Sequence, residues 1–184
     1  MAARFARQKD HASLLQALAL LRERGLTPQL QLAGGGKASA QKAARQLCEK
    51  LGLQQQVDFL GLSDNVPQLL QQSRICVLAT HYEGMPLSLI EGMAAGCAVV
   101  ASRVIGVQEV IDHGVNGLLA EHADPVSMAD AFEQLLRDDA LAQRLATAAR
   151  QDALHNYSLE RMTRNYEDLF ATLLDPRQAQ EVNA

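Results

Sequence analysis

Two apolar runs, Ile75-Cys76-Val77-Leu78-Ala79 and Ala98-Val99-Val100-Ala101, constrain the fold more than any other feature of this chain. Neither alternates polar with apolar residues, so each reads as a strand buried on both faces, the mark of a parallel sheet. Between them, from about Pro86 to Ala95, lies a helical segment followed by Gly96, a natural left-handed stop. Parallel strands joined through a helix require a right-handed crossover.

The same alternation runs through the rest of the sequence. A helix is expected over His11 to Arg24, with Leu14, Leu15, Leu18 and Leu21 on one face. A strand follows over Gln29 to Ala33, ended by Gly34-Gly35-Gly36. Ser39 to Leu51 reads as a helix stopped at Gly52, and Val57 to Leu60 as a strand closed by Gly61. Asn65 to Gln72 is a short helix with Pro67 in its first turn. Beyond the apolar runs we expect one helical turn over Gln108 to Asp112 and a strand over Asn116 to Leu119. Helices then run over Pro125 to Arg137, Leu141 to His155 and Leu159 to Leu174. The expected fold is α/β, a doubly wound, Rossmann-like parallel sheet with its ligand at the carboxyl ends of the strands. One domain is expected over 1–175, with 176–184 as a frayed tail. The chain opens inside or just before its first strand, as if in the middle of a larger architecture.

With 184 residues, 48% of them hydrophobic, the chain can bury a sizeable core. The net charge of -4, without any single-sign block, gives no support to nucleic-acid binding. No apolar run reaches the roughly 18 residues of a membrane span, and the first ten residues lack a signal core. A cytoplasmic location is the default. Cys48, Cys76 and Cys97 are too widely spaced for a metal knuckle and read as buried, inert thiols.

The chemistry concentrates between Glu83 and Glu91. An acidic loop residue precedes Gly84-Met85-Pro86, and the helix that follows carries a second carboxylate on its early turns. A helix start leaves N–H groups unpaired and partially positive, so the amides of Met85, Leu87 and Ser88 are candidate diphosphate donors. Pro86 pre-sets the first turn, and Gly84 permits close backbone approach. Glu91 can accept from both hydroxyls of a ribose, and Glu83 can meet a sugar hydroxyl beyond the diphosphate. Together these suggest nucleotide-sugar chemistry. The bland alternatives are a plain loop-to-helix turn and two solvated glutamates, and a glycosidase carboxylate pair also fits. Arg4 and Lys9, on the loop after the first strand, can neutralise a leaving diphosphate, or can be ordinary surface cations. No Asp-x-Asp pair is present to hold a divalent ion, so no metal is expected. Gly34-Gly35-Gly36 resembles a dinucleotide turn, but Ser39 stands where its last glycine belongs, and Asp58 falls inside a strand. His81 and Glu83 lack a third metal ligand nearby in sequence.

Taken in order, these segments resemble the C-terminal, donor-binding domain of GT-B glycosyltransferases, specifically glycosyltransferase family 4. Arg4-Phe5-Ala6-Arg7-Gln8-Lys9-Asp10 is similar to the family's strand-end arginine and lysine. Leu32-Ala33-Gly34-Gly35-Gly36 resembles its Gly-x-Gly turn, and Val57-Asp58-Phe59-Leu60-Gly61 its short strand near the base. Glu83 and Glu91 match its two glutamates eight positions apart, with Gly84, Met85 and Pro86 in place. Gly106, Glu109 and Asn116-Gly117 match later landmarks. The resemblance covers nearly the whole chain. It implies that Arg4 and Lys9 meet the diphosphate, Glu91 the ribose and Glu83 the transferred sugar. Gly34 and Leu62 would lie at the nucleotide, Leu62 on the base-binding edge. It further implies sugar transfer with retention of configuration, no metal and no cofactor, the nucleotide-diphosphate sugar being a co-substrate.

The sequence also departs from the family. Gly92 replaces the usual alanine after the second glutamate, at a cost of roughly 1 kcal/mol in helix propensity. Ile105 stands where glycine is common. The resemblance implies an N-terminal acceptor domain that is expected to be absent from these residues, so the expected function is the donor half of a retaining transferase, completed by missing sequence or a partner chain. That missing domain is also a route to peripheral membrane attachment. A stand-alone nucleotide-sugar-binding module is the alternative, and a folded remnant without a ligand a third. The final helix carries Met162, Tyr166, Leu169, Phe170 and Leu173 at helical spacing. That stripe covers either a local core or a partner, including a second copy in a homodimer.

Overall fold

The structure, a computed structural model, describes residues 1–174, so the tail expected to fray lies outside the described residues. Strands β1 (Leu30–Ala33) and β2 (Val57–Gly61) pair in parallel. Strands β3 (Ile75–Leu78), β4 (Ala98–Ser102) and β5 (Leu118–Ala120) form a second parallel set in that order. Helices α1 (His11–Glu23), α2 (Ala38–Lys50), α3 (Val66–Gln71) and α4 (Leu87–Ala95) alternate with the strands. The turn α5 (Ile105–Gln108) and helices α6 (Pro125–Arg137), α7 (Asp139–Asn156) and α8 (Leu159–Leu174) complete the chain.

The apolar runs dictate the layering. Val77 and Ala79 of the first run, with Ala98 and Val100 of the second, enter a core shared with α1, α2 and α6. Their neighbours Cys76, Leu78, Val99 and Ala101 enter the opposite core, against α4, α5 and α7. Successive side chains of a strand point to opposite faces, so a continuous apolar run serves two helix layers at once. This is the doubly wound arrangement. Asp10 caps α1 by accepting from the Ser13 amide at 3.0 Å. Gly96 closes α4 at φ 88°, in the left-handed region that favours glycine. No helix among the described residues is long and apolar enough to cross a membrane.

The expected parallel sheet is present as two hydrogen-bonded sets, and three placements within it need correction. Its halves are stitched by the first ten residues, in which Ala2 and Phe5 bridge in parallel to Ala33 and Gly36, and Lys9 bridges antiparallel to Thr80. Arg4 therefore sits within this connecting segment rather than on a loop after a strand. The helical turn lies at Ile105–Gln108, upstream of the expected Gln108 to Asp112. There Asn116 takes over: its Oδ1 accepts from the Asp112 amide at 2.8 Å and its Nδ2 donates to the Val110 carbonyl at 3.1 Å. With Asn116 used as a clamp and Gly117 only bridging to His113, the last strand begins at Leu118 rather than Asn116.

Candidate functional site

At the carboxyl edge of the strands, Thr80 follows the first apolar run as its first polar residue. It is fully buried, and its amide donates to Ser102 Oγ at 3.0 Å. The chain then turns through His81 and Tyr82 to Glu83. The Glu83 carboxylate, with only 7% of its side chain exposed, pairs with the Lys9 ammonium, 13% exposed. Thr80 Oγ1 lies 2.8 Å from Glu83 Oε1, and Gln8 Nε2 lies 3.3 Å from Oε2. A buried carboxylate needs such donors, because its desolvation is otherwise uncompensated. Lys9 and Glu83, 74 positions apart, are thus brought together, and the cation expected at a diphosphate is held by the carboxylate expected at the sugar.

The backbone of this loop is set by a second contact. A side chain at Gly106 would place its Cβ 2.3 Å from the Glu83 carbonyl oxygen and 2.4 Å from that of Gly84. The α5 turn therefore lies flat on the loop only because residue 106 is glycine. Gly84 itself has open space around it.

At the start of α4, Pro86 is buried as the N-terminal boundary residue. Its carbonyl accepts from Leu89 and Ile90 at 2.9 and 3.1 Å. The Leu87 amide, expected to be free, donates to the Met85 carbonyl at 3.0 Å. Among the described residues the Met85 and Ser88 amides have no protein acceptor. Leu87 and Glu91 lie one turn apart on the outward face of α4, both exposed, beside half-buried Ser88. Met85 is exposed as well.

The glycine-rich turn is shaped by chain packing. A Cβ at Gly34, whose φ is 149°, would fall 2.1 Å from the Ala3 carbonyl oxygen, and the Gly34 amide donates to the Gly61 carbonyl at 2.7 Å. Arg4 and Leu62 are thereby carried beside the same turn. Arg4 is exposed and has no carboxylate partner among the described residues. Leu62 is 87% exposed, with its side chain over Gly35.

His81 does not join Glu83. Its Nδ1 lies 3.0 Å from His122 Nε2, across from the end of β5. Among the described residues no three metal-ligating side chains gather into one group. Burial raises the Cys97 thiol to about 12, and burial likewise raises Cys76, so both stay protonated and unreactive at neutral pH. A cavity of about 310 Å³ lies at the opposite edge, by the amino ends of β1 and β3, lined by Leu14, Leu30, Ile75 and Phe132. It touches none of the site residues.

Sequence reasoning missed Gln8, Thr80 and Ser102. Thr80 carried a signal, a polar residue ending a buried strand at the ligand edge. Gln8 carried none, because its partner Glu83 is remote in sequence.

The profile of the family described as Glycosyl transferases group 1 matches residues 1–152. Over 129 residues the chain is 36% identical to the N-acetyl-alpha-D-glucosaminyl L-malate synthase of Bacillus anthracis, covering 70% of this chain and 34% of that protein. Over 177 residues it is 32% identical to the D-inositol 3-phosphate glycosyltransferase of Corynebacterium urealyticum, covering 92% and 42%. The chain thus spans less than half the length of either relative. Anabaena Alr3699/HepE in complex with UDP superposes with a TM-score of 0.87 at 24% identity, over 94% of this chain and 48% of that one. Its complex with UDP-glucose gives 0.85 at 24%, over 94% and 48%. That likeness establishes the doubly wound fold of the GT-B glycosyltransferases. By the family profile and its curated relatives, the chain belongs to the glycosyl transferases group 1 family.

Proposed function

We propose that this chain is the nucleotide-sugar-binding half of a retaining glycosyltransferase of family 4, acting without a metal or cofactor. The observation that carries the reading is the buried Glu83 carboxylate, held at the strand ends beside Lys9 and the start of α4. In this reading Arg4, Lys9 and the amides of Met85 and Ser88 take the diphosphate. Glu91 takes the ribose, Leu62 borders the base, Gly34 lies at the nucleotide, and Glu83 meets the transferred sugar. Leu87 contributes through its place in the first turn of α4, since its amide is already bonded. Fixed cations and N–H dipoles stabilise the leaving diphosphate as the glycosidic bond breaks. The relatives' greater length supports an acceptor domain or partner chain closing the other wall of the cleft, and a cytoplasmic setting belongs to the same reading.

Calorimetry on the chain tests this. UDP should bind roughly ten- to hundred-fold more tightly than UMP, the effect of one or two further charge-assisted hydrogen bonds. Glu91→Ala should weaken both UDP and UDP-glucose, and Glu83→Ala only UDP-glucose. Equal affinity for UDP and UMP, one pattern for both variants, or loss of binding in EDTA restored by magnesium would overturn the reading. Binding without transfer after an acceptor domain is supplied would favour the stand-alone module.

A further inference from the structure

We infer that Thr80 and Gln8 are positioning residues that hold the Glu83 carboxylate in place while the donor's diphosphate draws Lys9 away, so that sugar hydroxyls replace Lys9 on Glu83. This rests on the donor-site reading above and assigns that site the means by which it tells a sugar-bearing nucleotide from the bare diphosphate.

Three donors reach Glu83: the Lys9 ammonium, the Thr80 hydroxyl at 2.8 Å and the Gln8 amide at 3.3 Å. Two of them are fixed whatever the ligand does. Thr80 is fully buried and its amide is held by Ser102 Oγ. Gln8 Nε2 also donates to the Tyr82 carbonyl at 2.8 Å, and the Gln8 carbonyl accepts from the His81 amide at 2.8 Å. Lys9 is different: it is a long side chain whose ammonium an incoming diphosphate can claim.

The Thr80 hydroxyl has one proton and three acceptors in reach. These are the Gln8 carbonyl at 3.1 Å, the Tyr82 carbonyl at 3.2 Å and Glu83 Oε1 at 2.8 Å. The nearest is the charged one, so the proton goes to Glu83. When Lys9 turns to phosphate, Glu83 keeps its direction through Thr80 and Gln8 but loses its charge partner. A carboxylate this buried then needs new donors. A hexose supplies hydroxyls there, whereas a bare nucleoside diphosphate supplies none, so with UDP alone Lys9 stays on Glu83 and only the sugar-bearing donor completes the exchange.

The test titrates UDP, UDP-glucose, UDP-galactose and UDP-N-acetylglucosamine against the chain and its variants by calorimetry. The wild type should bind at least one of these sugars more tightly than UDP. For the tightest, Thr80→Val should lower affinity roughly ten- to hundred-fold while UDP stays within about two-fold. Thr80→Ser should restore the wild-type value, because it keeps the hydroxyl. Gln8→Met should show a smaller loss with the same selectivity, and stands in if Thr80→Val fails to fold. Equal losses for UDP and the UDP-sugar, no loss at all, or no rescue by serine would overturn the inference alone. No gain from any sugar in the wild type would also overturn it. Absence of UDP binding by the wild type would overturn the donor-site reading, and this inference with it.

Discussion

Replacing Gly92 by alanine sets two local energies against each other. Gly92 lies in the middle of α4, where alanine is favoured by about 1 kcal/mol in helix propensity. On propensity alone the variant should be more stable. The structure reverses the sign. A Cβ at residue 92 would sit 2.5 Å from Cys76 Sγ and 2.6 Å from Cys76 Cβ. Carbon contacts are comfortable at about 3.5–4.0 Å, so α4 must move off β3 by roughly 1 Å. Rotating the thiol does not help, because Cys76 Cβ is anchored to the strand. Overpacking of this kind costs typically about 1–3 kcal/mol, and with an immovable neighbour we expect the upper part of that range. The net change is then a loss of about 1–2 kcal/mol, or a fall in Tm of roughly 2–8 °C for a domain of this size. Thermal unfolding followed by circular dichroism measures it. The same displacement carries Glu91 outward, so affinity for UDP should fall in parallel. An unchanged or raised Tm for Gly92→Ala would refute the steric argument and show that α4 has slack against the sheet.

Gly106→Ala should act on the site more than on the core: its Cβ meets the carbonyl oxygens of Glu83 and Gly84, so UDP-sugar affinity should drop while UDP affinity holds, as titration would show. His11 gives a pH dependence. Burial lowers it to about 4, against a smaller upward pull from a hydrogen bond with the Lys9 backbone. Stability is therefore full above 6.5 and falls as pH drops toward about 4, while the unfolded chain alone takes the proton. The slope approaches about 1.4 kcal/mol per pH unit. Urea titrations across that window should flatten in His11→Leu, and an identical slope in the variant would count against it. The outer stripe of α8, with Leu169 49% and Phe170 58% exposed, should drive self-association. Sedimentation should show concentration-dependent mass that Leu169→Glu with Phe170→Glu abolishes at unchanged Tm; a strictly monomeric wild type would contradict this.

The sequence by itself determined the layering, because burial on both faces is written locally in continuous apolar runs. Ile75 to Ala79 and Ala98 to Ala101 read as strands buried on both faces, and Pro125 to Arg137 carries its own start and its own amphipathic face. The Glu83 to Glu91 segment was likewise legible, since its glutamates, turn and helix start are consecutive. Where a side chain overrides local preference, the sequence was silent. The Asn116 clamp moved the start of the last strand, and nothing in the order of residues announced it. The partners of the site were decided only by the tertiary structure. Lys9 meets Glu83, Gly106 leaves room for the Glu83 carbonyl, and Cys76 explains a glycine at 92 that propensity counts as a defect. Each of these joins residues that only the folded sheet brings within contact distance, and at such distances packing and charge pairing outweigh any local preference of the chain.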